Sequence, residues 1–187
     1  MDTRSLRRCL GRFATGVTVV TYRMATEARG ATVNAFTSVS LDPPLVLVSL
    51  ARSTRACSAL DGREFAVNVL RADQRDVALR FAGRHDSSLR IDWDPAGPGE
   101  VPTLADAIAV IRCLPWRRYD GGDHVLQLGE VVTVETRDGD PLIFGDGSFT
   151  TPGSPLLDGS LAARTRRPAI PAWAEAAYRV HSYAEAS

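Results

Sequence analysis

The 187-residue sequence contains no lysine; all 22 of its basic residues are arginine. That absence excludes a P-loop, which sets a lysine on nucleotide phosphates, and Schiff-base catalysis, which needs a lysine amine. Cysteine is scarce. Cys9, Cys57 and Cys113 lie far apart, odd in number and without a CxxC pair. Neither a disulfide framework nor a zinc site is expected from them, only reduced thiols. No charge sign dominates: 22 basic residues balance 22 acidic ones, and no basic tract exists. Nucleic acid is therefore not an expected partner. Long apolar runs are missing as well. None reaches the roughly 18 residues of a membrane span. The basic opening MDTRSLRRCLGRF lacks the apolar stretch of a secretion signal, so the expectation is a soluble cytoplasmic protein. Catalytic signatures are absent too: no GxSxG elbow, HExxH, GxGxxG or EF-hand loop occurs. An enzyme made from this chain relies on a bound cofactor for its chemistry.

What is present suits one globular domain, since 44% of the residues are hydrophobic. Residues 3–14 read as a helix with Leu6, Leu10 and Phe13 on one face, stopping at Gly16. Residues 17–22 and 65–70 read as strands. Residues 54–60 form a short helix, and 71–81 a second with Val77, Ala78 and Phe81 as its stripe. From 84 to 103 the prolines and glycines indicate loop. Residues 108–114, 125–136 and 142–144 read as strands, and Asp138-Gly139 predicts that the last two form a hairpin. Six or seven strands without regular βαβ alternation predict an α+β barrel or sandwich. Residues 1–150 make the main domain. Residues 151–187 make a C-terminal part: a proline-containing arm over 151–171, then a short helix over 172–184 carrying Trp173.

The densest stretch is GATVNAFTSVSLDPPLVLVSL, residues 30–50. As one strand, 31–41 puts Ala31, Val33, Ala35, Thr37, Val39 and Leu41 on a core-like side. The other side carries Thr32, Asn34, Phe36, Ser38 and Ser40. It is either a solvent face or a ledge for a planar, hydrogen-bonding ligand. Exposed faces usually mix in charged residues, and this one has none. Asp42-Pro43-Pro44 ends the strand, because each proline fixes φ and supplies no N–H. Residues 45–50 then read as a central strand buried on both faces.

Ala51-Arg52-Ser53-Thr54-Arg55 follows. Ser53 or Thr54 is placed to cap the next helix. Ala56 or Cys57 stands where a capping box has Glu or Gln, so the first turn has no acid and two neighbouring arginines. The stretch is either an ordinary cap or a phosphate-type anion site. In YDGGDH, residues 119–124, two glycines permit a tight loop, and His124 enters the next strand. The histidine binds a ligand, moves a proton, or is an ordinary loop-edge residue. Asp120, Asp123 and His124 lack the ligand number and spacing of a metal site, so no metal is expected.

In their order, these pieces resemble the flavin reductase-like family, the small NAD(P)H:flavin oxidoreductases that supply two-component monooxygenases. The resemblance rests on FATGVTVVT (13–21), GATVNAFTSVSLDPPLVLVSL (30–50), FAVNVL (65–70), DQRDVALRFAG (73–83), YDGGDH (119–124), LGEVV (128–132) and DGDPLIF (138–144), and spans residues 5–150. It implies an FMN-binding split β-barrel, a Greek-key-type antiparallel barrel with flanking helices. It also implies a homodimer with flavin near the subunit interface. By resemblance, Thr32, Asn34, Ala35, Ser38, Val39, Ser40 and Leu41 line the isoalloxazine and ribityl chain. Ala51, Ser53, Thr54 and Arg55 hold the flavin phosphate, Phe81 lies near the cofactor, and His124 faces the nicotinamide side. The implied activity is reduction of FMN or FAD by NADH, with NADPH as the alternative donor. The reduced flavin leaves for a partner flavin-dependent monooxygenase. A flavin-retaining oxidase or oxygenase and a non-catalytic flavin-binding module stay open as alternatives. Ala31 replaces the family's usual methionine, Ala35 stands where serine is frequent, and GDGSFTTP at 145–152 departs from the usual strand end.

Overall fold

The computed structural model describes residues 2–84, 89–95 and 100–154. The expected helix over 172–184, and the expected arm beyond Ser154, lie outside the described residues. Within them the chain forms three helices and ten strands: α1 (Thr3–Leu10), β1 (Thr15–Gly16), β2 (Thr18–Met24), β3 (Glu27–Val33), β4 (Phe36–Leu41), β5 (Pro44–Ala51), α2 (Arg55–Ala59), β6 (Phe65–Val69), α3 (Arg75–Phe81), β7 (Ala109–Gly121), β8 (His124–Thr136), β9 (Ile143–Gly145) and β10 (Ser148–Thr150). Seven strands join in the order β3-β2-β6-β7-β8-β5-β4, and three more in the order β1-β9-β10. Every pairing is antiparallel.

The larger sheet is open, with β3 and β4 at its two edges. Yet Val33 ends β3 and Phe36 begins β4. Three residue steps span at most about 11 Å, so the sheet must curl enough to bring the end of β3 near the start of β4. Each end of the crossing is held to its own neighbour: Thr18 Oγ1 of β2 donates to Val33 O at 2.5 Å, and Ser49 N of β5 donates to Ala35 O at 2.9 Å. The expected single strand over 31–41 is thus two strands on opposite edges. Asn34 and Ala35 form the crossing, and both are exposed.

Period-two alternation divides the core. Val20, Tyr22, Val33, Val48, Leu50, Phe65 and Val67 fill the inside of the curl, where Phe36 also packs. Val17, Val19, Ala66, Leu70, Ala78, Leu104 and Val110 form a second cluster on the outer face, beneath α3. Buried Asn68 ties the 101–107 segment to this face. Its Nδ2 donates to Val19 O and Thr21 Oγ1, both at 2.9 Å, and its Oδ1 accepts from Leu104 N at 2.8 Å.

Several elements differ from expectation. α1 stops at Gly11 rather than Gly16, is capped by Asp2, and has no buried residue. α3 begins at Arg75, because the Gln74 side chain accepts from Arg71 N at 2.9 Å and shapes 71–74 into a turn. On β5, Val46, Val48 and Leu50 are buried while Leu47 and Ser49 are half-buried, so one face is only partly covered. Asp138-Gly139 does not close a hairpin. β8 pairs with β5 and β7, whereas β9 pairs with β1 and β10. The segment between them is drawn onto the outer face instead, where Ala72 N donates to Asp140 O at 2.8 Å. The hairpins are β7–β8, turning through residues 121–124, and β9–β10, turning at Asp146 (φ 49) and Gly147 (φ 78).

Two predictions follow from this packing. A Cβ on Gly129 of β8 sits 2.5 Å from Phe65 Cζ and 2.7 Å from Cys113 Cβ, both in the core. Gly129→Ala should cost about 1–3 kcal/mol in chemical denaturation, and an unchanged midpoint would contradict the packing. Cys9 is exposed, Cys57 is buried, and burial pushes the Cys113 thiol up to about 12. A thiol reagent at pH 8 should modify Cys9 promptly and the other two only after unfolding; prompt reaction of Cys113 would refute its burial.

Candidate functional site

β5 delivers the chain to a loop at Arg52-Ser53-Thr54, from which α2 starts. Thr54 is the N-cap: its Oγ1 accepts from Cys57 N at 3.2 Å and donates to Ala51 O at 2.7 Å. Ala51, the last residue of β5, is the register partner of His124, the first residue of β8. Two stretches that the sequence separates by some seventy residues are therefore adjacent.

The turn before His124 is shaped by its own acids. Asp120 Oδ1 accepts from Gly122 N at 2.8 Å, and Gly122 adopts φ 76. That backbone N–H, with the Arg52 charge, holds the Asp120 carboxyl below its ordinary range. Asp123 Oδ1 lies 2.7 Å from His124 Nδ1, and this hydrogen bond likewise lowers the Asp123 carboxyl. A carboxylate only accepts, so Nδ1 carries the proton and Nε2 is the nitrogen left for a ligand. Arg52 spans the two loops, with its Nε donating to Gly122 O at 2.7 Å and its Nη2 to Asp120 Oδ2 at 2.8 Å.

On the side of α2 toward β3 and α3 lies a cavity of about 610 Å³. Thr54, Arg55 and Phe81 line it, together with Tyr22, Arg29, Gly30, Arg80 and Trp93. The Phe81 ring meets Trp93 edge-on, with centroids 6.0 Å apart. A Cβ on Gly30 reaches within 3.0 Å of the Phe81 ring, so glycine keeps the strand backbone bare against it. Among the described residues Arg55 makes no ion pair, while Arg29 pairs with Glu27. Burial raises the Tyr22 hydroxyl, opposed by the charges of Arg29 and Arg55.

The residues expected from sequence fall into two groups. Thr54, Arg55 and Phe81 share the cavity, and Thr32 lies behind it with its hydroxyl donating to Ala78 O at 2.6 Å. Ala51 and His124 stand together at the neighbouring strand ends; Ser53 is exposed between them and Thr54. Ser38, Ser40 and Leu41 line a different, apolar groove of about 330 Å³ with Phe36, Val46, Ile111, Val131 and Val134. Val39 is exposed where β4 bulges between Ser38 and Ser40. Asn34 and Ala35 occupy the crossing between the two edges.

Sequence reasoning did not single out Arg29, Arg80, Tyr22 or Trp93. Tyr22 and Arg29 are register partners in the β2–β3 hairpin, and Arg80 precedes Phe81 at the end of α3. An arginine on a strand of small residues was the available signal. Trp93 arrives from a loop and carried none.

A family model described as a flavin reductase like domain matches residues 10–153. The chain is 43% identical over 149 residues to an FMN reductase (NADH), SmoA, of Agrobacterium fabrum, covering 79% of this chain and 85% of that protein. It is 37% identical over 158 residues to HsaB of Mycobacterium tuberculosis, the reductase subunit of a flavin-dependent monooxygenase, covering 80% of this chain and 82% of that protein. Its fold superposes with a TM-score of 0.75 on the NADH:FAD oxidoreductase SgcE6 of Streptomyces globisporus, solved with NAD and FAD fragments; identity is 39%, covering 84% of this chain and 96% of that one. With a curled antiparallel sheet, an arginine-lined cavity beside α2 and a family match across most of its length, the chain belongs to the flavin reductase like family.

Proposed function

We propose that this protein uses NADH to reduce FMN or FAD and releases the reduced flavin to a partner flavin-dependent monooxygenase. The observation that carries this reading is the cavity gathering Thr54, Arg55 and Phe81 in a chain of this family. Its lining fits a flavin nucleotide: guanidinium groups suit phosphate oxygens, and the aromatic edges of Phe81 and Trp93 suit a flat ring. When bound, flavin supplies the hydride acceptor that no side chain provides.

The protein's own residues bind and orient. Arg55 and the loop of Ala51, Ser53 and Thr54 hold the phosphate end. Thr32, Asn34, Ala35, Ser38, Val39, Ser40 and Leu41 follow the isoalloxazine and ribityl chain, with Phe81 beside them. His124, its Nδ1 proton held by Asp123, offers Nε2 to NADH on the nicotinamide side. Productive transfer depends on that orientation, because misplacement of the donor costs rate steeply.

The finer architecture is part of the same reading. The edge-to-edge approach at Asn34-Ala35 supports a split barrel. Val39, Leu41, Leu114, Trp116, Val132 and Val134 expose apolar surface on β4, β7 and β8, which supports a homodimer packed on that face. The groove of Ser38, Ser40 and Leu41 then lies at the interface, where a second copy completes the flavin seat. Residues 1–150 form the reductase domain. We place the protein in the cytoplasm, where NADH is supplied and free thiols persist.

Purified protein mixed with NADH and excess FMN or FAD should oxidise NADH far above the free-flavin background; a rate equal to background refutes the reading. His124→Ala should raise the NADH KM by about tenfold, a loss near 1.4 kcal/mol, while leaving the flavin KM within about twofold. An unchanged NADH KM contradicts the role given to His124.

A further inference from the structure

Arg52 belongs to the loop proposed to hold the flavin phosphate, yet its hydrogen bonds go to the other loop. Its backbone N donates to Asp123 O at 3.0 Å, its Nε to Gly122 O at 2.7 Å and its Nη2 to Asp120 Oδ2 at 2.8 Å. Asp120 in turn accepts from Gly122 N through its other oxygen, at 2.8 Å. The residue before Arg52 is the register partner of His124, and the residue after Asp123 is His124 itself. One guanidinium thus ties a turn that contains two glycines to the 52–54 loop, beside the Asp120–Gly122 bond within the turn and the Arg52 N–Asp123 O bond between the loops. An exposed ion pair alone contributes little. Here the planar fork contacts a carbonyl through Nε and a carboxylate through Nη2, which fixes geometry as well as charge.

We propose that Arg52 is a positioning residue for NADH use: it locks the 120–123 turn onto the phosphate loop and thereby sets His124 in place. The proposal rests on the reading of His124 as the residue on the nicotinamide side. It gives the loop two separate arginine roles, with Arg55 facing the cavity and Arg52 turned away to build the neighbouring hairpin. Lysine cannot replace Arg52 in this role, because one ammonium group does not span Gly122 O and Asp120 Oδ2 with the same planar geometry.

The test compares full-length wild type with Arg52→Ala, Arg52→Lys, His124→Ala and the Arg52→Ala/His124→Ala pair, in NADH kinetics and in amide hydrogen exchange. Arg52→Ala should raise the NADH KM by about tenfold and leave the flavin KM within about twofold. Arg52→Lys should behave like Arg52→Ala. In the His124→Ala background, Arg52→Ala should add no more than about twofold, because it acts through the missing histidine. Exchange at residues 122–124 should accelerate in both Arg52 variants while residues 45–50 of β5 keep their protection. Recovery of NADH KM by lysine points to direct charge contact with a phosphate and overturns the proposal. So does a full multiplicative loss in the double variant, or unchanged exchange at 122–124. Unchanged NADH KM in His124→Ala alone sinks the His124 reading and this proposal with it. A raised KM there, simply multiplied by Arg52→Ala, sinks the positioning role alone.

Discussion

Pairing of β5 with β8 over seven consecutive residue pairs, from Leu45 with Glu130 to Ala51 with His124, sets the geometry on which the site depends. β5 ends where the Arg52-Ser53-Thr54 loop begins, and β8 begins where the 121–124 turn ends. Each ladder bond fixes the register of the next, so a slip of one residue would turn His124 to the opposite face of the sheet. Val46, Val48, Leu50 and Val125 are buried on this pair and hold the register from the core side. Gly129 contributes by omission, leaving room on β8 for the Phe65 ring. Hydrophobic burial thus fixes a polar arrangement at the strand ends.

With no lysine in the chain, arginine serves both as cavity lining and as structural tie. Arg29, Arg55 and Arg80 line the cavity, whereas Arg52 ties the loop before α2 to the 120–123 turn and Arg118 braces α2 itself. Arg118 donates to Cys57 O at 2.8 Å and pairs with Asp61 at 2.9 Å, anchoring the far end of the short helix to β7. A five-residue helix has little stability of its own. Its placement comes from Thr54 at its start, Arg118 near its end, and the burial of Ala56, Cys57, Ala59 and Leu60 beneath it. Fork-shaped guanidinium groups suit this double use, since they bridge backbone carbonyls and carboxylates as readily as they receive phosphate.

Much of this was legible in the sequence because it is local. β2, β5, β6 and β8 fall within two residues of expectation, as β-branched and apolar runs mark them. The cap was readable as Ser53 or Thr54 from their hydroxyls at the start of the helix, and Thr54 is the one that caps it. What was not legible is topological. Period-two reading treats 31–41 as one strand, and it correctly sends Ala31 and Val33 toward the core. The chain then leaves one sheet edge for the other at Asn34-Ala35, the phase resets, and Phe36 rather than Ala35 turns inward. The ledge read as continuous is therefore split, with Thr32 against α3 and Ser38 and Ser40 in a separate groove. Asp138-Gly139 has hairpin chemistry, but a turn signal does not name the strand that receives the chain. Trp93 reaches Phe81 across the fold, a contact no sequence window contains.

The proposed function requires that flavin be turned over and let go rather than kept. Anaerobic mixing of catalytic amounts of protein with excess NADH and a large excess of free FMN or FAD tests this directly, followed by loss of oxidised-flavin absorbance. The whole flavin pool should bleach, many equivalents per protein chain. Bleaching that stops at one flavin per chain would contradict the proposed function and mark a protein that retains its flavin.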